Sequence, residues 1–504
     1  GEVDAVVIGT GAGGAPLAAR LAGAGLSVVM LEAGRHWDPA REWATDERAQ
    51  DGLFWNDERL SAGADPVAFG RNNSGIGVGG STLHYTAYVP RAQPDDFRLC
   101  RDFGVGADWP IGYDDLAPYY AEVEAFLGVS GPSPYPWGPP RPAYALPPLN
   151  GAAQLMQRGC AALGIRTSPA ANAAVSQAWQ QEGYGLRPAC TNRGFCQAGC
   201  STGAKAGMDV TYVPLALARG AELRTGAFVT GIETDPAGQV TGVIAMQDGI
   251  ETRQRCRALF LCAGAIETPR LLLLNRLGRG PVGRNFMAHT GVQLWARFPE
   301  RVAPAKGIPG GLISEDTHRP ADADFAGGYL LQSIGVMPVT YASQVARGRG
   351  LWGQALLDHM EQFNHVAGIN ILGECLPHPG NRLELSDELD GRGLPKPRIH
   401  FTAGENERRM TAHAERTMRA IFDAAGAQDA WAFPRYAHTI GTCRMGAKGH
   451  GSDDAVVDRD GRLHGHPNLV IADNSVFPSA LSCNPALTIM ANALRTADRF
   501  LEAR

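Results

Sequence analysis

The amino-acid sequence predicts an α/β protein of two lobes. One is a parallel sheet with helices. The other is discontinuous, an antiparallel sheet backed by helices. Three observations predict this. A glycine-rich turn joins the first strand to the first helix, and the following strand ends in an acid. Between residues 295 and 430 the texture changes to alternating apolar and polar segments, the signature of half-buried strands. Two closing segments, AHTIGTCRMG (437–446) and VIADNSVFPSALSCNPALTI (470–489), then return the chain to the first lobe.

The chain has 504 residues, enough for two to four average domains or one large two-lobed molecule. With 44% hydrophobic and 19% charged residues it can bury a large core, and its 63 glycines allow backbone to approach a large ligand closely. A net charge of −5 and a pI near 6.2 argue against a nucleic-acid partner. No apolar run reaches transmembrane length and no leader precedes the first strand, so a soluble protein is expected, cytoplasmic or periplasmic. Ten cysteines in so long a chain do not make a disulfide scaffold. Three of them cluster: Cys190, Cys196 and Cys200.

In chain order, DAVVIG (4–9) is a short apolar strand that runs into GTGAGG (9–14) and a small-residue helix over 15–24. A second strand over 27–31 ends in Glu32. Strand, GxGxxG, helix, strand and acid together form a Rossmann-like dinucleotide site. Gly9 makes the tight turn, Gly11 lets the backbone reach a pyrophosphate, Gly14 lets helix and strand pack closely, and Glu32 accepts the ribose hydroxyls. The motif does not separate FAD from NAD. Residues 35–70 read as an irregular excursion. GIGVGGSTLHY (75–85) places four glycines in six residues and is a second loop of close backbone approach. A helix starts at Tyr113 and runs to about Gly128, and the proline-rich stretch 131–149 is an extended connector. The cysteine loop ends in Gly203-Ala-Lys205. Residues 211–219 are helical, 221–233 and 239–246 are paired strands, 258–262 is a buried strand, and 267–274 is a helix. In the second lobe, strands are expected over 292–298, 328–336, 367–375, 381–386 and 398–401, and a long helix over 406–425. The first lobe thus comprises 1–150, 201–294 and 431–504. The substrate lobe comprises 295–430, with 151–200 as an associated cysteine-loop segment.

Five ordered motifs carry a family resemblance: Gly9–Gly14 with Glu32, residues 79–91, GAIETPR (264–270), VGRNFMAH (282–289), and the closing segments with His438 and Asn484. With these the chain resembles the glucose–methanol–choline (GMC) oxidoreductases, flavoenzymes that oxidise alcohols. GGSTLHY (79–85), DWPI (108–111) and the cysteine cluster are most similar to the bacterial sugar and gluconate dehydrogenase branch. The resemblance implies FAD in the first lobe, held by Gly9, Gly11, Gly14, Glu32, Gly79, Gly80, Thr82, His84, Val229, Ala263, Asp473 and Pro485.

Alcohol oxidation needs a base for the hydroxyl proton and a donor for the developing alkoxide while hydride leaves. The resemblance places His438 as base and Asn484 as donor. Alone, the two would read as a core histidine and a turn former. Asp473 implies contact near the ribityl and pyrophosphate region, or a cap of the next turn. Val229 implies a backbone partner for adenine, or an ordinary strand valine. His84 implies either covalent attachment of FAD or a pocket-lining imidazole. In the branch, three cysteines of similar spacing hold a 3Fe-4S cluster, so Cys190, Cys196 and Cys200 are candidate ligands. Two departures stand against this. Ser201 follows Cys200 where proline is common, and other GMC branches carry similar cysteines without iron. Packed thiols are the alternative, and a zinc site lacks a fourth ligand. Glu374 reads as structural. The expected activity is oxidation of an alcohol on a sugar, glycoside or polyol, with electrons passed to a quinone, cytochrome or O2. An oxidase that releases hydrogen peroxide, or a lyase that keeps FAD without redox use, are the alternatives. A small accessory subunit and a cytochrome subunit are implied by the branch alone.

Overall fold

The computed structural model describes residues 1–43, 46–65, 74–131, 145–446 and 454–504. Most of the expected proline-rich connector lies outside the described residues, as does part of the 35–70 excursion. The architecture is mixed α/β, with parallel and antiparallel sheets and flanking helices.

The first sheet is organised by one long strand, Ile250–Leu261. Its second half lies parallel between Glu2–Ile8 and Leu469–Ile471. Val28–Leu31 and Glu222–Arg224 extend the parallel side. Its first half pairs antiparallel with Val240–Gln247, which pairs in turn with Ala227–Thr234. Segments from the start, middle and end of the chain therefore lie side by side. Ala5, Val6, Val7 and Ile8 are buried, as a strand covered on both faces requires. Residues 221–233, expected as one strand, are two. Gly226, at φ +64°, turns the chain between a parallel partner of the second strand and the antiparallel ribbon.

The first helix, Gly14–Gly23, comes down close on this sheet because its contact residues are small. A Cβ on Gly14 would stand 1.9 Å from the Gly9 carbonyl oxygen, and one on Gly13 would stand 2.1 Å from that of Ala472. The glycines are steric necessities of this packing.

The second large sheet has six strands in the order Asp429–Pro434, Val292–Arg297, Val366–Gly373, Tyr329–Ile334, Leu312–Ser314, Ser168–Pro169. Alternation divides its faces. Val292, Leu294, Ile369, Ile371, Tyr329 and Leu331 point back into a core shared with helices Gly151–Ala162 and Glu405–Ala424. Gln293, Asn370 and Gln332 point the other way and line the main cavity. Strands Arg382–Leu389 and Pro395–His400, which the sequence groups with this sheet, instead form a separate three-stranded sheet with Leu60–Ala62. The physical reason is Arg270. Its guanidinium donates to the Pro395 carbonyl and the Asp390 carboxylate, tying this hairpin to the helix Gly264–Leu274 of the first lobe. Helices Pro338–Arg349 and Gly353–Met360 were not anticipated. Among the described residues, no helix is long and apolar enough to cross a membrane.

Gly14→Ala is expected to force the first helix off the sheet, lowering Tm and the flavin-to-protein absorbance ratio of the purified enzyme together. A wild-type ratio and Tm would show that the contact is not limiting.

Candidate active site

A cavity of about 910 Å³ runs from the N-terminal turn to the closing motifs. At one end, Gly9 bends at φ +92°, where a Cβ would meet the Cys262 carbonyl at 2.5 Å. Gly11 and Gly80 face one another as bare backbone, and a Cβ on Gly80 would lie 2.9 Å from the Gly11 Cα. Glu32 is buried on the cavity wall. Its carboxylate accepts from the backbone N–H groups of Thr10, Gly34 and Gly77 and from the Thr10 hydroxyl. Burial pushes its pKa up, opposed by these donors. Val229, Ala263, Thr82, Asp473 and Pro485 also line the cavity. Asp473 borders the cavity and also caps the next turn. It accepts from Ser475 N–H at 2.8 Å, from Gly264 N–H and from the Thr268 hydroxyl. Gly14 and Gly79 lie behind the wall. Gly14 packs under the turn, and Gly79, at φ +116°, donates its N–H to the Thr10 hydroxyl.

At the other end stands His438. It is the extra residue of a β-bulge: Ala437 pairs with His289 and Thr439 with Ala288, and His438 between them has φ +59°. Bulges re-aim a side chain out of the alternating pattern, and here the imidazole turns to the cavity. Its Nδ1 lies 3.1 Å from His289 Nδ1, and His289 Nε2 lies 3.1 Å from the Leu481 carbonyl oxygen. This chain determines the tautomers. A carbonyl only accepts, so His289 Nε2 carries a hydrogen. Burial holds His289 neutral, with its pKa down to about 4, so its Nδ1 accepts. His438 Nδ1 must therefore donate, and its lone pair sits on Nε2. Burial, His289, Arg435 and His84 hold the His438 pKa well below that of a free imidazole. The result is a neutral base oriented by a neighbour that sequence reasoning noted only as the end of a motif.

The loop that supplies the Leu481 carbonyl is itself pinned. Glu374 is buried off the cavity and accepts from the N–H groups of Cys375, Ala480 and Leu481, while Asp96 accepts from Ser482 N–H. Burial and Asp96 raise Glu374 to about 8. Asn484 follows this loop. Gln332 Nε2 donates to Asn484 Oδ1 at 2.5 Å, which leaves the Asn484 NH2 as the end available to a ligand. The predicted pair, His438 and Asn484, does line one cavity.

Residues 68–291 and 377–493 match the two family models described as GMC oxidoreductase. The chain is 30% identical over 549 residues to the fructose dehydrogenase large subunit of Gluconobacter japonicus, covering 99% of this chain and 98% of that one. It is also 30% identical over 538 residues to 2-methyl-1,2-propanediol dehydrogenase of Mycolicibacterium austroafricanum, covering 99% and 95%. The chain belongs to the GMC oxidoreductase family. It is an FAD-dependent enzyme that oxidises alcohol groups. The fold agrees: the crystal structure of a pyridoxine 4-oxidase from Mesorbium loti superposes with a TM-score of 0.68 at 20% identity, covering 99% of each chain.

The residues present fit FAD. Bare glycine backbone forms the wall where a pyrophosphate would lie, and the cavity continues unbroken to His438. His84 lines it with a buried Nε2 that has no partner among the described residues. Burial and the Lys205 ammonium push the His84 pKa down to about 3, so the imidazole is neutral. Lys205 donates to the carbonyls of Leu83, Tyr85 and Cys196, tying the cysteine loop to the loop around His84.

The expected iron–sulfur cluster finds no support among the described residues. Among the described residues, no group of three His, Cys, Asp or Glu side chains is placed to hold a metal ion. Cys190 Sγ accepts from Asn192 N–H and Cys200 Sγ accepts from Lys205 N–H, each within its own loop. Burial pushes the Cys196 thiol up to about 12, and Cys190 and Cys200 are close enough to add to the shift.

With His438 as the base proposed below, its depressed pKa predicts the pH dependence of flavin reduction. A base with a depressed pKa is present at every pH above that value and is lost only in more acid solution. Anaerobic stopped-flow reduction is expected to be flat from about pH 6.5, the value of an unperturbed imidazole, to pH 9, and to fall only below it. A rate that rises through pH 7–8 would contradict a neutral His438.

Proposed function

We propose that the enzyme oxidises a secondary or primary alcohol on a sugar, glycoside or polyol, with His438 as general base and Asn484 as donor to the substrate oxygen. The observation that carries this is the chain Leu481–His289–His438, which orients a neutral imidazole with its lone pair on Nε2 in the cavity that Asn484 also lines. Nε2 takes the hydroxyl proton as the alkoxide develops, and the Asn484 NH2, held by Gln332, stabilises that oxygen without competing for the proton. FAD, when bound, supplies the hydride acceptor. The helix Ala486–Glu502 begins at the cavity, and its positive end favours negative charge there. A hydroxylated substrate is supported by the names of the two relatives, both dehydrogenases of hydroxylated compounds.

His438→Ala is expected to retain FAD and slow anaerobic flavin reduction by at least about 10²-fold, the lower end for a lost general base. Wild-type single-turnover reduction in this variant would remove His438 from the role. Asn484→Ala slows the same step less. Bleaching by substrate without air excludes the lyase reading, and rapid reoxidation of the bleached enzyme by air would favour the oxidase reading.

Acid precipitation and iron analysis complete the cofactor assignment. Flavin retained in the pellet, and released in His84→Ala, places a covalent bond on the unpartnered His84 Nε2. Flavin left in the supernatant makes that nitrogen a hydrogen-bond acceptor. About three irons per FAD would make Cys190, Cys196 and Cys200 cluster ligands, and none, in protein prepared so that a cluster survives, would make them packed thiols.

A further inference from the structure

The cavity-facing side of the six-stranded sheet carries three carboxamides in one row. Gln293 pairs directly with Asn370, and Asn370 directly with Gln332, across three adjacent strands. All three line the cavity. All are deeply buried, with 1%, 7% and 2% of their surface exposed. Gln332 is engaged with Asn484, so the row ends at the proposed donor to the substrate oxygen. The other two are incomplete: Gln293 Oε1 and Asn370 Oδ1 have no hydrogen-bond partner among the described residues.

A buried polar atom without a partner costs free energy, and two of them in register on one strip of sheet mark where a ligand's polar groups belong. The chemistry of the row selects the ligand. Carboxamides are uncharged and offer an acceptor at one end and donors at the other, so they complement groups that both give and accept hydrogen bonds. Hydroxyls do both. An alkyl chain would leave the amides unpartnered, and an anion would meet the carbonyl oxygens. Neighbouring strands lie about 4.8 Å apart, so adjacent amides match non-adjacent hydroxyls across a six-membered ring.

We propose that Gln293, Asn370 and Gln332 form a hydroxyl-reading floor that binds the non-reacting hydroxyls of a polyhydroxylated ring and aligns the reacting carbon between His438 and Asn484. This rests on the proposed function and adds the residues that select the substrate. Gln293 and Asn370 act on specificity, and Gln332 acts through Asn484 as a positioning residue. A site built to hydrogen-bond hydroxyls discriminates strongly against analogues that lack them, because its polar groups are then left unpaired.

The test uses the wild-type holoenzyme and two near-isosteric variants, Gln293→Met and Asn370→Leu, each checked for FAD content. Anaerobic flavin reduction is measured with D-glucose, D-galactose, D-xylose and methyl β-D-glucopyranoside, and with cyclohexanol as a ring of one hydroxyl. In the wild type the best sugar is expected to exceed cyclohexanol in kcat/KM by at least about 10²-fold, below the discrimination reached by dedicated hydroxyl sites. Each variant is expected to lose at least about tenfold with the sugar, mostly in KM, and less than about twofold with cyclohexanol, a change set by the tenfold unit of one lost hydrogen bond. The wild-type comparison needs no variant and stands even if a substitution impairs folding. Cyclohexanol matching the best sugar, or variants that slow both substrates alike, overturns the floor and leaves the alcohol-oxidising reading intact. Reduction by neither class overturns both.

Discussion

The close approach of three chain segments at one point is the constraint on which the molecule depends. The turn at Gly9, the strand end at Cys262 and the strand end at Ala472 come so near that a single added methyl would overlap a carbonyl oxygen. These contacts join residues hundreds of positions apart, so the first sheet exists only when the whole chain has returned to it. That return brings the closing motifs to the cavity. The N–H groups of Gly441, Cys443 and Met445 donate to the carbonyls of Asn474, Ser475 and Val476, stitching the His438 segment to the segment that leads to Asn484.

A second unity is electrostatic. Burial pushes His84 to about 3, His289 to about 4 and His438 well below its free value, and it raises Glu374 to about 8. Desolvation disfavours charge of either sign, so these groups share a tendency toward neutrality. Surroundings held neutral in this way strengthen each remaining dipole at the cavity, including the Asn484 amide and the start of the last helix.

Much of this was legible in the sequence, for identifiable reasons. The turn from Gly9 to Gly14 and Glu32 was readable because steric exclusion leaves no other residue there, and a steric rule is local. The place of His438 and Asn484 in one cavity was readable only through family resemblance, since nothing local distinguishes them from a core histidine and a turn residue. The break at Gly226 was missed because both halves of 221–233 favour strand, and only the pairing partners differ. The hairpin of Arg382–Leu389 and Pro395–His400 was assigned to the wrong sheet because the Arg270 contacts that capture it are non-local. His289 ends a quoted motif, but its bearing on His438 depends on a bulge that aligns two distant strands. The amide row could not be read at all. One polar residue in an apolar strand is unremarkable, and three become a feature only when register sets them side by side. The cysteine spacing invited a cluster, for which the described residues give no support.

The division of the six-stranded sheet into two faces has an evolutionary consequence. On its back, Leu294, Ile369, Ile371 and Leu331 interlock with helices and hold the lobe together. On its front, Gln293, Asn370 and Gln332 touch the cavity and contribute little to that packing. Because neighbours along a strand face opposite ways, a mutation that rewrites the front leaves the back untouched. Such a scaffold can exchange one diet for another by drift at a few alternate positions, keeping the same skeleton and the same chemistry while its chemical taste changes.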